Sequence, residues 1–215
     1  MAFPPAAPRK HLHNRNIDCQ GYLRDDGFWD IEARIVDVKT YTVDNRWRGP
    51  LEPGNPIHNM GVRLTIDHTF TVREVATTMD DQPHQICHEV LVNFQRLVGL
   101  SIGPGWGRKV KERLGGSAGC THLVDLLGPM ATVAFQTTAS DAAREMARQV
   151  NPEIYPEVKT DPTKKPFVLN GCYTWSSGSP AVKEVYPLHY TGDKSVEEVT
   201  QDSKNDSADK TIFRG

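Results

Sequence analysis

In the stretch FWDIEARIVDVKTY, Ile31, Ala33 and Ile35 take one parity, and Asp30, Glu32 and Arg34 take the other. A period of two turns one set of side chains to a core and the other to water, which predicts a half-buried strand. Asp25 to Gly27 supply a turn ahead of it, closing a hairpin with the segment around Gly21 to Leu23. Beyond the Pro/Gly-rich loop RGPLEPGNP, Met60, Val62, Leu64 and Ile66 again share one face. A turn near Asp67 and His68 leads into FTVREVATTM, a further strand. The pattern predicts an antiparallel sheet of three or four strands with one covered face.

The spacing then becomes helical. From His88, the residues Leu91, Phe94, Leu97 and Val98 form a stripe that Gly99 stops. Trp106, Val110 and Leu114 form a shorter one, closed by Gly115 and Gly116. The run GCTHLVDLLGPM opens a third helix through Leu123, Leu126, Leu127 and Met130, and Pro129 is expected to kink or split it. SDAAREMARQV continues helical from a cap at Ser140 or Asp141. KPFVLNGCYTW and AVKEVYPLHY are expected as extended segments packed back on the domain. Strands first and helices second give an α+β fold, with helices covering the sheet. Residues 1–16 are expected as a flexible tail, 17–192 as one domain with an irregular C-terminal addition, and 193–215 as a disordered tail.

Composition narrows the function classes. The 215 residues suffice for one sizeable core, and a formal net charge of −2 gives no reason to expect a nucleic-acid partner. No apolar run approaches the roughly 20 residues that cross a bilayer, so no membrane association is expected. Prolines interrupt the N-terminus where a signal peptide would be continuously apolar, which predicts a cytoplasmic, reducing setting. There the four cysteines, Cys19, Cys87, Cys120 and Cys172, are better read as thiols or metal ligands than as disulfides. A homo-oligomer stays open.

Cys120 sits where a helix begins, and the unpaired N–H groups there favour a thiolate, suited to a nucleophile or a metal ligand. Taken alone it reads rather as a small buried residue filling a helix–sheet contact. Cys87 lies in HQICHEV, at the start of another stripe, between His84 and His88. His58 stands at a loop-to-strand entry, where ligands and catalytic groups often sit. His122 or Cys172 would be a further ligand. Asp125, one turn beyond His122, either orients that imidazole or faces water. Trp29, Trp47, Trp106 and Trp175 either line an aromatic pocket or fill the core. The separations match no zinc-finger spacing.

The segments GYLRDDGFWDIEARIVD, PIHNMGVRLTID, LVGLSIGPGWGRKVKERLGGSAGCTHLVDLLGPM and AFQT resemble a bacterial domain-of-unknown-function family, DUF family 2889. That resemblance implies no activity. Tyr173 follows Cys172 where that family's pattern has His, which weakens a role for the pair. More distantly, the order strands, Cys, helix, short helix, then Cys opening a long helix is similar to the iron–sulfur scaffold family (IscU, SufU and NifU N-terminal domains). That similarity implies that His58, Cys87 and Cys120 converge, with Gly119 where the scaffolds usually carry a His or Cys. An imidazole in place of a thiolate disfavours cluster assembly. It favours a Cys2His zinc site with an open position. The resulting expectation is a metal-assisted lyase or hydrolase acting on a small molecule, with an aromatic substrate matching the tryptophans. Zn2+ (or iron) would be held by His58, Cys87 and Cys120, and His122 or Asp125 would act as acid, base or orienting group. The alternatives are a non-catalytic metal or iron–sulfur carrier delivering to a partner, and a metal-free lyase using a His base or Cys nucleophile.

Overall fold

The computed structural model describes residues 3–155 and 161–192. The chain divides into two compact units, Met1–Glu157 and Val158–Gly215.

The first unit is built on a four-stranded antiparallel sheet. Its strands are β1 (His13–Leu23), β2 (Trp29–Lys39), β5 (Pro56–Ile66) and β6 (Val72–Asp81), in that spatial order. A small hairpin, β3 (Val43–Asn45) with β4 (Gly49–Leu51), lies between β2 and β5 in the chain. The alternation in β2 is realised: Trp29, Ile31, Ala33 and Ile35 are buried, and they face the same side as Met60, Val62, Leu64 and Ile66 of β5. The opposite face carries Asp18, Gln20, Glu32, Arg34 and Arg63 into solvent, as an antiparallel sheet covered on one side requires.

Residues 13–16, expected in a flexible tail, are the first part of β1 and pair with Lys39 to Val36. His13, Asn14, Arg15 and Asn16 carry no apolar alternation, so nothing local marks them as strand. They are ordered by the partner strand, whose backbone groups they satisfy at the sheet edge. Of the expected tail at 193–215, every residue lies outside the described ones.

Helices cover the apolar face. Gln85–Leu97 winds as a 3-10 helix and includes most of the helical stripe expected from His88. Its apolar step of three, Leu91 to Phe94 to Leu97, fits three residues per turn, and Phe94 and Leu97 are fully buried while Val98 is exposed. Helix α1 (Trp106–Leu114) buries Trp106, Val110 and Leu114. Helix α2 (Thr121–Thr138) packs over β1, β2 and β5.

Pro129 does not split α2. It removes one backbone donor. Leu126 and Leu127 before it, and Met130 and Ala134 after it, are all buried, so core packing holds both halves in one element. Close approach at the far end depends on Gly21, where a Cβ would come within 2.8 Å of the Thr137 Cβ. Helix α3 (Asp141–Val150) starts at Ser140, whose Oγ accepts from the Ala143 N–H at 3.1 Å, as its cap residue predicts.

In the second unit, AVKEV is not extended. It forms α4 (Pro180–Val185), capped by Ser179 Oγ accepting from the Val182 N–H at 3.1 Å, with Pro180 in the first turn. Proline in a first turn has no N–H to lose and its φ suits the helix. The segment around Cys172 is a series of turns, with Asn170 at φ 61° and its Oδ1 accepting from the Ser177 N–H.

Candidate functional site

The apolar stripe of β2 runs Trp29, Ile31, Ala33, Ile35 and then reaches Asp37, a carboxylate on the core-facing side and only 2% exposed. The same happens on both neighbours. Going back along β5 from Met60, the stripe ends at His58, and Asp37 pairs with His58 across the sheet. On β1 it ends at Arg15, which pairs with Asp37 on the other side. Register therefore sets Arg15, Asp37 and His58 in one row. The β2–β5 pairing slips between Asp37 and Val38, a bulge of the kind that re-aims side chains beside functional sites.

Arg15 grips Asp37 with two parallel bonds: Nε donates to Oδ1 at 2.8 Å and Nη2 donates to Oδ2 at 2.9 Å. This fork-on-carboxylate geometry is the strong, orienting kind. His58 Nδ1 lies 3.0 Å from Oδ2, and His13 Nε2 lies 3.5 Å from Oδ1. Burial disfavours the Asp37 charge, but the bonds and charge of Arg15 and the neighbouring His58 outweigh it and hold the carboxyl below its ordinary value.

Helix α2 brings the fourth group. His122, its second residue, stacks on His58 with ring centroids 3.7 Å apart and planes 30° apart. Its Nε2 is 3.8 Å from Asp37 Oδ2, and its Nδ1 is 3.9 Å from Cys120 Sγ. Both imidazoles titrate below their ordinary value. For His58 the causes are burial first, then the adjacent His122, against the pull of Asp37. For His122 they are burial first, then the Arg15 charge. At neutral pH the site thus holds one carboxylate and two neutral imidazoles, the protonation state that metal ligands require.

Among the described residues, the ligating atoms of Asp37, His58 and His122 all lie within 4.8 Å of one another. No such group of three that includes Cys87 or Cys120 forms among those residues. Of the expected metal set, His58 is in the cluster. Cys120 stands beside it on His122 Nδ1. Cys87 is half-buried near the start of the 3-10 helix, its N–H bonded to the His84 carbonyl at 3.2 Å. Asp125 is 54% exposed and accepts from Arg15 Nη1 at 3.1 Å. Cys172 is exposed in the second unit. Gly119 has no room for a side chain, since a Cβ there would meet Leu114 Cβ at 3.1 Å and the Leu114 backbone.

Asp37 and Arg15 escaped the sequence pattern. Asp37 left a signal, a charge at the next in-face position after Ile35. Arg15 left none.

The row of strands and the helix that completes it coincide with a known sequence family, described as "Protein of unknown function (DUF2889)", whose model matches residues 13–136. The chain belongs to this family. The DUF2889 match starts at the first residue of β1 and ends within α2, so it encloses Arg15, Asp37, His58 and His122 together. No curated protein and no solved structure matches the chain. Among the described residues of this DUF2889 protein, no helix is long and apolar enough to cross a membrane.

Proposed function

We propose that Asp37, His58 and His122 hold a divalent metal ion, zinc or iron, and that the protein is a metal-assisted lyase or hydrolase of a small molecule. One observation carries this reading: three potential ligands of suitable type, from β2, β5 and α2, within 4.8 Å of one another. Ligand atoms bonded near 2.0–2.1 Å to one ion lie roughly 2.9–3.4 Å apart. The Oδ2 to His58 Nδ1 distance of 3.0 Å already fits, and the 3.8 Å to His122 Nε2 asks for a closure of about half an ångström. Arg15 and His13 behind Asp37 resemble the outer hydrogen-bonding groups that orient a metal-bound carboxylate.

Two imidazoles and one carboxylate leave coordination positions open, as catalytic sites do and closed structural sites do not. An ion held there would supply Lewis acidity, polarising a substrate oxygen or acidifying water. The absence of thiolate from the set argues against an iron–sulfur carrier.

The contact of His58 Nδ1 with Asp37 Oδ2 also favours a second reading. In it the carboxylate accepts from Nδ1–H and leaves Nε2 as a general base without metal. Elemental analysis and Zn2+ titration separate the two. One ion per chain is expected, lost in Asp37→Ala, His58→Ala and His122→Ala. A protein that stays metal-free after purification with zinc and iron present would remove the first reading and leave the second.

A further inference from the structure

We infer that the substrate of this centre is a carboxylate-bearing small molecule, received by Arg15 Nη1 in the place that Asp125 now occupies. The inference rests on the metal reading above.

Three features carry it. First, the guanidinium is immobilised. Nε and Nη2 are engaged by Asp37, so Nη1 has a preset direction, and what it holds is the Asp125 carboxylate at 3.1 Å. A planar fork fixed on one side recognises a second carboxylate with little further ordering.

Second, the Asp125 contact is replaceable. It is a single bond between side chains 35% and 54% exposed, and exposed pairs of this kind contribute about 0–1 kcal/mol. A carboxylate held simultaneously by the ion would displace it.

Third, the charges favour an incoming anion. Arg15 balances Asp37, and imidazoles that ligate an ion do so in their neutral form. A divalent ion then adds two positive charges, and the Asp125 carboxylate that stands near them is 54% exposed to solvent.

The reach is short. Nη1 sits on the same guanidinium as Nη2, which bonds the Asp37 oxygen proposed to bind the ion. With an N–H···O bond near 2.9 Å and a metal–oxygen bond near 2.1 Å, Nη1 and the ion are at most about 7 Å apart. A carboxylate with one further oxygen on the adjacent carbon spans that gap, one end on Arg15 and the other on the metal. The reacting group of the substrate therefore neighbours its carboxylate.

Cobalt-substituted full-length protein tests this through its visible absorption band, which responds when a ligand enters the coordination sphere. Lactate is expected to shift the band saturably, and lactamide, its uncharged counterpart, to bind at least about tenfold more weakly. Asp125→Asn removes the charged placeholder and is expected to tighten lactate about two- to fivefold while changing Co2+ affinity less than twofold. Lactamide binding as well as lactate, phosphate binding better than lactate, or an unchanged lactate affinity in Asp125→Asn would each overturn the inference while leaving the metal site standing. Failure of Co2+ itself to bind overturns both.

Discussion

Replacing Asp37 by Ala would leave the Arg15 guanidinium, His58 Nδ1 and His13 Nε2 without the carboxylate they face. Removing one partner of a buried pair is costly because the other stays desolvated, but Arg15 is 35% exposed and can turn to water. A loss of about 1–3 kcal/mol in urea unfolding is expected, together with loss of zinc binding. The histidines make a separate prediction for the metal-free protein. Both have folded values below the ordinary 6.5, so between those values and 6.5 the unfolded chain binds more protons than the folded one. Their contribution is complete above about pH 6.5 and is lost as pH falls through the folded values. With chelator present, the urea midpoint should drop from pH 7.5 to 5.5, and a His58→Gln, His122→Gln chain should show a shallower drop. Asp37, also depressed, adds its loss only below about pH 4. The cysteines divide by position. Cys87→Ala should leave Zn2+ affinity unchanged, whereas Cys120→Ala should weaken it a few-fold by freeing His122 Nδ1. A zinc titration that collapses in Cys87→Ala would contradict the ligand set.

At the scale of elements, the cluster of Arg15, Asp37, His58 and His122 forms because three strands and one helix end are held in a fixed relation. Helix α2 lies across the sheet with His122 above the Asp37 row at one end and Thr137 against Gly21 at the other. Gly21→Ala should push that far end away, since the added Cβ meets Thr137 Cβ at 2.8 Å as well as the rest of that side chain. Overpacking of this kind costs typically about 1–3 kcal/mol. Thr137→Ala in the same chain should recover part of the loss, because it removes the outer atoms but keeps the Cβ. Thermal unfolding of the single and double variants measures the coupling, and additive effects would mean the two positions do not touch. The strands were legible where apolar and polar residues alternate, as in β2 and β5. The first four residues of β1 were not, because a polar edge segment becomes a strand only when a neighbour offers hydrogen bonds. Likewise the step of three from Leu91 to Leu97 marks one covered face without saying whether the backbone closes three- or four-residue turns.

For the whole molecule, every residue of the proposed centre belongs to the first compact unit. A chain ending at Glu157 is therefore expected to bind Zn2+ within about twofold of the full-length affinity. At zinc 100-fold above Kd, binding adds about 2.7 kcal/mol, which should raise Tm by about 5–10 °C in either chain. An unmoved Tm in both would count against a site in the folded state. Much of the α+β organisation follows from the sequence alone, because alternation, helical spacing, turn glycines and caps are local and each constrains its own neighbourhood. The chemistry does not follow in the same way. His58 and His122 are conspicuous residues whose company no spacing reveals. Cys87 and Cys120 lie at the starts of two helical segments, and yet among the described residues they share no ligand cluster. Asp37 becomes a ligand candidate only through the register that sets it between Arg15 and His58, and the seating of α2 that lays His122 over them. Strand register and helix docking depend on contacts between residues far apart in the chain, so only the tertiary structure decides which side chains meet.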